Sequence, residues 1–195
     1  MSDDAAVPPA VRLVRDFVNT FEPQIDEESL STPDRLRDWL VERRLVPADA
    51  RLTATDLRVA TTVREGLRAV LEGHAGHPVD PDAREGLNRV LAEFPVRLSF
   101  ADDGHRLAAT RDAPLDEALA RLLDAVRSCA EEQTWTRLKV CARDTCRWAF
   151  YDASRNQARR WCSMAGCGNH IKMKRAYAAR KSRAAGGASE PARKR

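Results

Sequence analysis

Cys141-Ala142-Arg143-Asp144-Thr145-Cys146 and Cys162-Ser163-Met164-Ala165-Gly166-Cys167 share one spacing, Cys-x4-Cys, with fifteen residues between the pairs. Structural zinc is held by four sulfur or nitrogen ligands, typically as two short-spaced pairs joined by a loop of roughly 15 to 20 residues. The pattern therefore predicts one tetrahedral Zn²⁺ on Cys141, Cys146, Cys162 and Cys167, with the x4 gaps at the wide end of the usual range. Disulfides and buried free thiols are the alternatives. Disulfides belong to oxidising compartments, whereas Met1-Ser2-Asp3-Asp4-Ala5-Ala6-Val7-Pro8-Pro9 is acidic and lacks the apolar stretch of a secretory signal. No run approaches the ~18 apolar residues of a membrane span, so the expectation is a cytoplasmic protein with no membrane partner. The fifth cysteine, Cys129, falls on a helical apolar stripe with Leu115, Leu119, Leu122 and Val126 and reads as a small core residue.

Outward from the cysteines, Leu138 and Val140 alternate as a strand into the first pair, and Trp148, Phe150 and Tyr151 suggest a second strand leading away. Ser154 to Gln157 matches an S-x-x-Q capping box and predicts a short helical turn over Arg155 to Trp161. Gly168 to Tyr177 predicts a helix whose first turn supplies the last ligand. Hairpin, knuckle and helix together make a treble-clef-like zinc module. Met173, Ala176 and Tyr177 share one face of that helix and are expected to pack on the zinc core, as are Trp135, Trp148 and Trp161, because large aromatic areas dominate small cores.

The net charge of +4 conceals a split. Residues 1–133 hold 17 arginines and no lysine against 26 carboxylates, a net −9, while residues 134–195 hold 16 cations against Asp144, Asp152 and Glu190, a net +13. A basic module on an acidic body points to a polyanionic partner, and it also permits the two halves to dock on each other. Arg155, Arg159, Arg160, Lys172, Lys174, Arg175, Arg180, Lys181 and Arg183 are the candidate phosphate contacts. Arginine suits that task because its planar fork grips two phosphate oxygens at once.

The body reads as mainly helical. Val11, Val14, Phe17 and Val18 set a first helix over about Ala10 to Thr20, and Ser31-Thr32-Pro33-Asp34 places a cap and a first-turn proline before Leu36, Trp39 and Leu40. Thr55-Asp56 is expected to open a longer helix that stops near Gly73, and Asp80-Pro81 opens another. Val96, Leu98 and Phe100 alternate, Asp102-Asp103-Gly104 turns, and Leu107 to Thr110 returns, a hairpin pattern. A helix from Leu115 to Glu132 closes this part. The fold class is thus α+β, mainly α. A helical domain with a small hairpin covers 1–133, the zinc module covers 134–184, and a disordered basic tail covers 185–195.

Catalytic constellations are scarce. His74-x-x-His77 lies among Gly73, Gly76 and Pro78 and reads as a loop after a helix, since it lacks the i, i+4 spacing of an enzymatic zinc motif. With no phosphate loop and no nucleophile elbow, no enzyme is expected. Asn19 is the one polar position singled out as a contact for a small-molecule effector of the helical domain, with helix capping an equal account.

The run Cys141 … Cys146-Arg147-Trp148-Ala149-Phe150-Tyr151-Asp152-Ala153-Ser154 … Arg159-Arg160-Trp161-Cys162-Ser163-Met164 … Cys167-Gly168-Asn169 closely resembles the CGNR zinc-finger family. Asp16-Phe17-Val18-Asn19-Thr20 resembles the signature of the ABATE, or stress-induced transcription regulator, domain that precedes this finger. The resemblance implies a bacterial transcriptional regulator whose finger binds double-stranded DNA. One departure stands out: the fourth signature residue is His170 where the family has arginine, and an ordinary histidine is mostly uncharged at neutral pH. RNA binding and a zinc module for protein interaction or redox sensing are the alternative functions. A small-molecule effector of the helical domain is a further expectation that no residue specifies.

Overall fold

The computed structural model describes residues 7–102 and 104–186, with side chains described through Lys181. Asp103 of the expected turn and residues 187–195 of the expected tail lie outside the described residues. The body is built from α1 (Pro9–Val18), α2 (Pro33–Glu42), α3 (Ala54–His74), α4 (Pro81–Ala92) and α5 (Pro114–Glu131). Three two-stranded antiparallel hairpins accompany them: β1 (Phe21–Glu22) with β2 (Glu27–Glu28), β3 (Val96–Ala101) with β4 (Gly104–Ala109), and β5 (Leu138–Val140) with β6 (Ala149–Tyr151). The last described element is α6 (Asn169–Gly186), which continues through 185 and 186. The fold is α+β and mainly α.

Caps explain most boundaries. The Thr32 hydroxyl accepts the Arg35 N–H with Pro33 at the first helical position, and Asp80 accepts the Asp82 and Ala83 N–H groups before Pro81. The cap of α3 is Thr53, not Thr55: Thr53 and Asp56 form a reciprocal capping box, which starts the helix two residues early. It also runs past Gly73. Gly76, at φ +75°, lets its own N–H reach Gly73 O and the His77 N–H reach Glu72 O, a Schellman closure. The same closure ends α2 at Arg44 and α5 at Gln133, both held at φ +56° without the freedom of glycine.

The core gathers Val11, Val14 and Phe17 of α1, Leu36 and Leu40 of α2, Val63, Leu67 and Leu71 of α3, and Leu119, Leu122 and Cys129 of α5. Leu138, Val140 and Ala149 of β5 and β6 belong to the same buried cluster, so the hairpin that leads to the cysteines is seated in the core of the body. Gly66 is where α3 and α4 meet. A Cβ added there would lie 2.4 Å from Leu87 Cβ, so only glycine admits this approach. Hairpin β3–β4 leans on α5, where the Asp124 carboxylate accepts the Leu107 N–H at 2.9 Å. Its alternation is real but not all of it is covered, because Leu98 and Phe100 face solvent. Among the described residues no helix is long and apolar enough to cross a membrane.

Candidate metal centre and basic surface

The four sulfurs of Cys141, Cys146, Cys162 and Cys167 all lie within 4.8 Å of one another. Cys162 Sγ is 3.8 Å from both Cys146 Sγ and Cys167 Sγ. With Zn–S near 2.3 Å, the edge of a ZnS₄ tetrahedron is about 3.8 Å, whereas a disulfide closes to about 2.05 Å. The cluster therefore has the dimensions of a shared metal ion, and its all-sulfur donor set suits zinc.

Local backbone builds that geometry. The Cys141 N–H donates to Trp148 O at 2.9 Å, the Ala142 N–H donates to Arg160 O at 2.8 Å, and Arg147 adopts φ +51° immediately after the second ligand. The N–H groups of Arg143 and Trp148, each two residues beyond a cysteine, donate to the Cys141 and Cys146 sulfurs. Hydrogen bonds donated by the Cys146 and Cys162 thiols hold Cys141 well below the ordinary thiol range, and that engagement of their own protons pushes Cys146 and Cys162 upward. One thiolate is thus favoured and further ones repel, a conflict that a divalent cation at the centre removes. The Arg143 guanidinium adds a positive charge 3.9 Å from Cys167 Sγ.

The segment between the pairs departs from expectation. Arg155 to Trp161 is a turn followed by extended chain, with Gln157 at φ +52°. Ser154 does not act as a cap: fully buried Asp152 accepts both its hydroxyl and its N–H. Asp152 also accepts the Arg159 N–H and the Lys139 ammonium, each at 3.0 Å, which clasps the loop onto β5. The second pair leads into a π-helical turn, Met164–Gly168, where the Ser163 hydroxyl accepts the Gly166 N–H, and this turn carries Cys167 and launches α6. Trp148 and Trp161 pack against the cysteine cluster, while Trp135 packs on the main core edge-on to His74, 5.1 Å away. His74 is the last residue of α3, and its Nδ1 lies 2.9 Å from Leu138 O.

Polar contacts fix the module to the body. Asn19, at the end of α1, accepts the Ala149 N–H at 2.8 Å and donates to Ala149 O at 2.9 Å, so its amide pairs with β6 as a neighbouring strand would. Buried Arg68 on α3 donates to Val18 O, Phe21 O and Arg147 O. Arg147 forms an ion pair with Glu72, and Arg143 donates to Gln24 at 3.1 Å. Beside the Asn19 contact, a cleft of about 790 Å³ opens between α1 and β6, with Trp39, Arg43, Trp148, Tyr151 and Cys162 among its walls. Arg64, Arg68 and Asp152 gave no local signal, because their partners are distant in the chain or belong to common residue types.

The candidate phosphate contacts divide into two groups. Lys172, Lys174, Arg175, Arg180 and Lys181 are exposed along α6, and Arg155 and Arg160 are exposed in the segment between the cysteine pairs, none paired with a carboxylate among the described residues. The Arg159 side chain is committed instead, donating to Trp161 O and Cys162 O with its guanidinium 4.9 Å from the Phe150 ring centroid. The side chain of Arg183 lies outside the described residues. The expected apolar seam of α6 is absent among these residues: Met173 and Tyr177 are exposed by 65% and 66%, and only Ile171 is half-buried. His170 is exposed in the first turn of α6, and Asp144, Asp152 and Glu72 all lie off this helix.

Residues 11–148 match the ABATE family model, described as "Putative stress-induced transcription regulator". Residues 137–181 match the model of the CGNR zinc finger. The two matches overlap across β5, the first cysteine pair and Arg147, the stretch seated on the body. Comparison with curated proteins gives no match.

Proposed function

Because the chain belongs to the ABATE family and carries a CGNR zinc finger, we propose that it is a cytoplasmic transcriptional regulator that binds one Zn²⁺ and double-stranded DNA rather than catalysing a reaction. Cys141, Cys146, Cys162 and Cys167 hold the ion. The observation that carries the nucleic-acid reading is α6, on which Lys172, Lys174, Arg175, Arg180 and Lys181 all face solvent with no acidic residue between them. A helix is about 10–12 Å across with its side chains, and the major groove is about 12 Å wide. The exposed cations of α6, with Arg155 and Arg160 from the segment between the cysteine pairs, would neutralise phosphates and release counterions. Such contacts fix position along the duplex, while base edges supply sequence preference.

Bound zinc supplies a divalent charge that keeps four thiolates together. This chain's residues do the rest: amides of Arg143 and Trp148 orient the sulfurs, the Met164–Gly168 turn aims α6, and Asn19 seats the hairpin. A small-molecule effector of the body finds a space of matching size in the cleft between α1 and β6.

Titration of the zinc-loaded chain with duplex DNA across a salt series tests the reading. Neutralising six phosphates gives a slope of about −5 in log affinity against log salt. Lys174→Ala should reduce the slope by about 1 without changing sequence preference. No binding at low salt, or binding indifferent to chelator, defeats the proposal. A parallel titration with structured RNA decides between the two nucleic acids, tighter RNA binding being the outcome that replaces DNA.

A further inference from the structure

The four ligands of the metal centre differ in access. Cys141 is fully buried and Cys146 and Cys167 are 5% exposed, but Cys162 is half-buried and forms part of the wall of the 790 Å³ cleft. We propose that Cys162 is a modification site: the point at which a peroxide entering from the cleft oxidises the centre, ending in a disulfide that contains Cys162. The inference rests on the zinc reading above for its consequence, not for the choice of residue.

A metal-bound thiolate is already ionised and keeps its nucleophilic lone pairs, so among four ionised sulfurs the most accessible one meets the peroxide first. In the first step the Cys162 sulfur attacks one peroxide oxygen, the O–O bond breaks, an S–OH group forms, and hydroxide leaves. In the second, a neighbouring ligand thiolate attacks the Cys162 sulfur, the S–S bond forms, and the S–OH oxygen departs as a second hydroxide. Two thiolates have lost two electrons and the peroxide has gained them. Cys146 Sγ and Cys167 Sγ both stand 3.8 Å from Cys162 Sγ, so either resolves the intermediate by a local closure to about 2.05 Å. A zinc ion held by the four cysteines would be left with two thiolates and would be released. Cys129 offers an internal contrast. It is fully buried and burial pushes its thiol upward, so it should remain reduced throughout.

The test uses the full zinc-loaded chain with a slight excess of hydrogen peroxide, following zinc with a colorimetric chelator and disulfides by peptide mass mapping. The expected result is about one zinc released per disulfide, every early disulfide containing Cys162. Cys162→His, which retains a Cys₃His ligand set, should keep its zinc and release it several-fold more slowly. A first disulfide between Cys141 and Cys146, or wild-type release from the His variant, overturns the proposal. Should the purified chain hold no zinc, the metal reading fails by itself. The site assignment is then read from limiting N-ethylmaleimide on the metal-free chain, where first labelling at Cys162 supports it and first labelling at another cysteine sinks it. That labelling also serves if Cys162→His does not fold.

Discussion

Asn19 is a side chain acting as a piece of backbone. Its amide satisfies both the N–H and the C=O of Ala149 across 130 residues of chain. Truncation leaves two partly buried backbone groups without partners, at a cost of about 1–3 kcal/mol each when fully buried. Asn19→Ala should therefore lower stability by about 2 kcal/mol in a urea titration of the zinc-loaded protein, and Asn19→Asp should restore only the half that needs an acceptor. Glu28 gives a pH-dependent counterpart. Burial raises its carboxyl group, but the two hydrogen bonds from Arg64, each 2.7 Å, and the Leu30 N–H outweigh burial and leave it below the ordinary carboxyl range. A depressed folded value means stabilisation present above the unfolded value, about 4.3, and lost as pH falls through the folded one. Between about pH 5 and 3 the wild type should lose more stability than Glu28→Gln, read as the difference in denaturation midpoints at each pH. A parallel loss in both proteins would show that the Arg64 pairing carries no such linkage. The cysteines were legible in the sequence because their spacing is local and their chemistry singular. Asn19 stands out in the sequence as a polar position open to an effector or a capping role alike, but its use as a bridge depends on a partner that no local pattern names.

At the scale of elements, the helices were legible because apolar periodicity, prolines and caps agree with one another. The misreadings have physical causes. The S-x-x-Q signature at Ser154 fails because Asp152 takes the Ser154 N–H that the reciprocal half of a capping box needs, and Gln157 at φ +52° lies outside the helical region. The apolar residues of α6 face solvent because the helix leaves the zinc module after its first turn, with nothing described lying alongside. Gly66 carries no local signal, because only the approach of Leu87 from α4 demands a glycine there. Gly66→Ala should separate α3 from α4 and cost about 1–3 kcal/mol, measurable as a lowered melting temperature. In the opposite direction, Gln133→Gly should raise stability by about 0.5–1 kcal/mol, since the left-handed position that closes α5 disfavours a Cβ. An unchanged midpoint would mean that Gln133 carries no strain.

On the scale of the whole molecule, the charge split and the cysteine spacing anticipated a basic end built around a four-sulfur cluster, but not how its parts are supported. Hairpin β5–β6 contributes Leu138, Val140 and Ala149 to the body's core, whereas the Met164–Gly168 turn and α6 depend on Cys162 and Cys167. Chelation should therefore divide the module. Amide hydrogen exchange is expected to accelerate over 162–181 while Leu138 to Val140 remains protected, and uniform acceleration across 134–181 would refute this division. The arrangement of α6 has a mechanical consequence. Eighteen residues at 1.5 Å each make an arm of about 27 Å anchored at its root. A tilt of about 10° at the cysteine turn would sweep its tip by roughly 5 Å, more than one base-pair step along a duplex. Angstrom-scale play at the seat is thus geared up into a change of register at the far end.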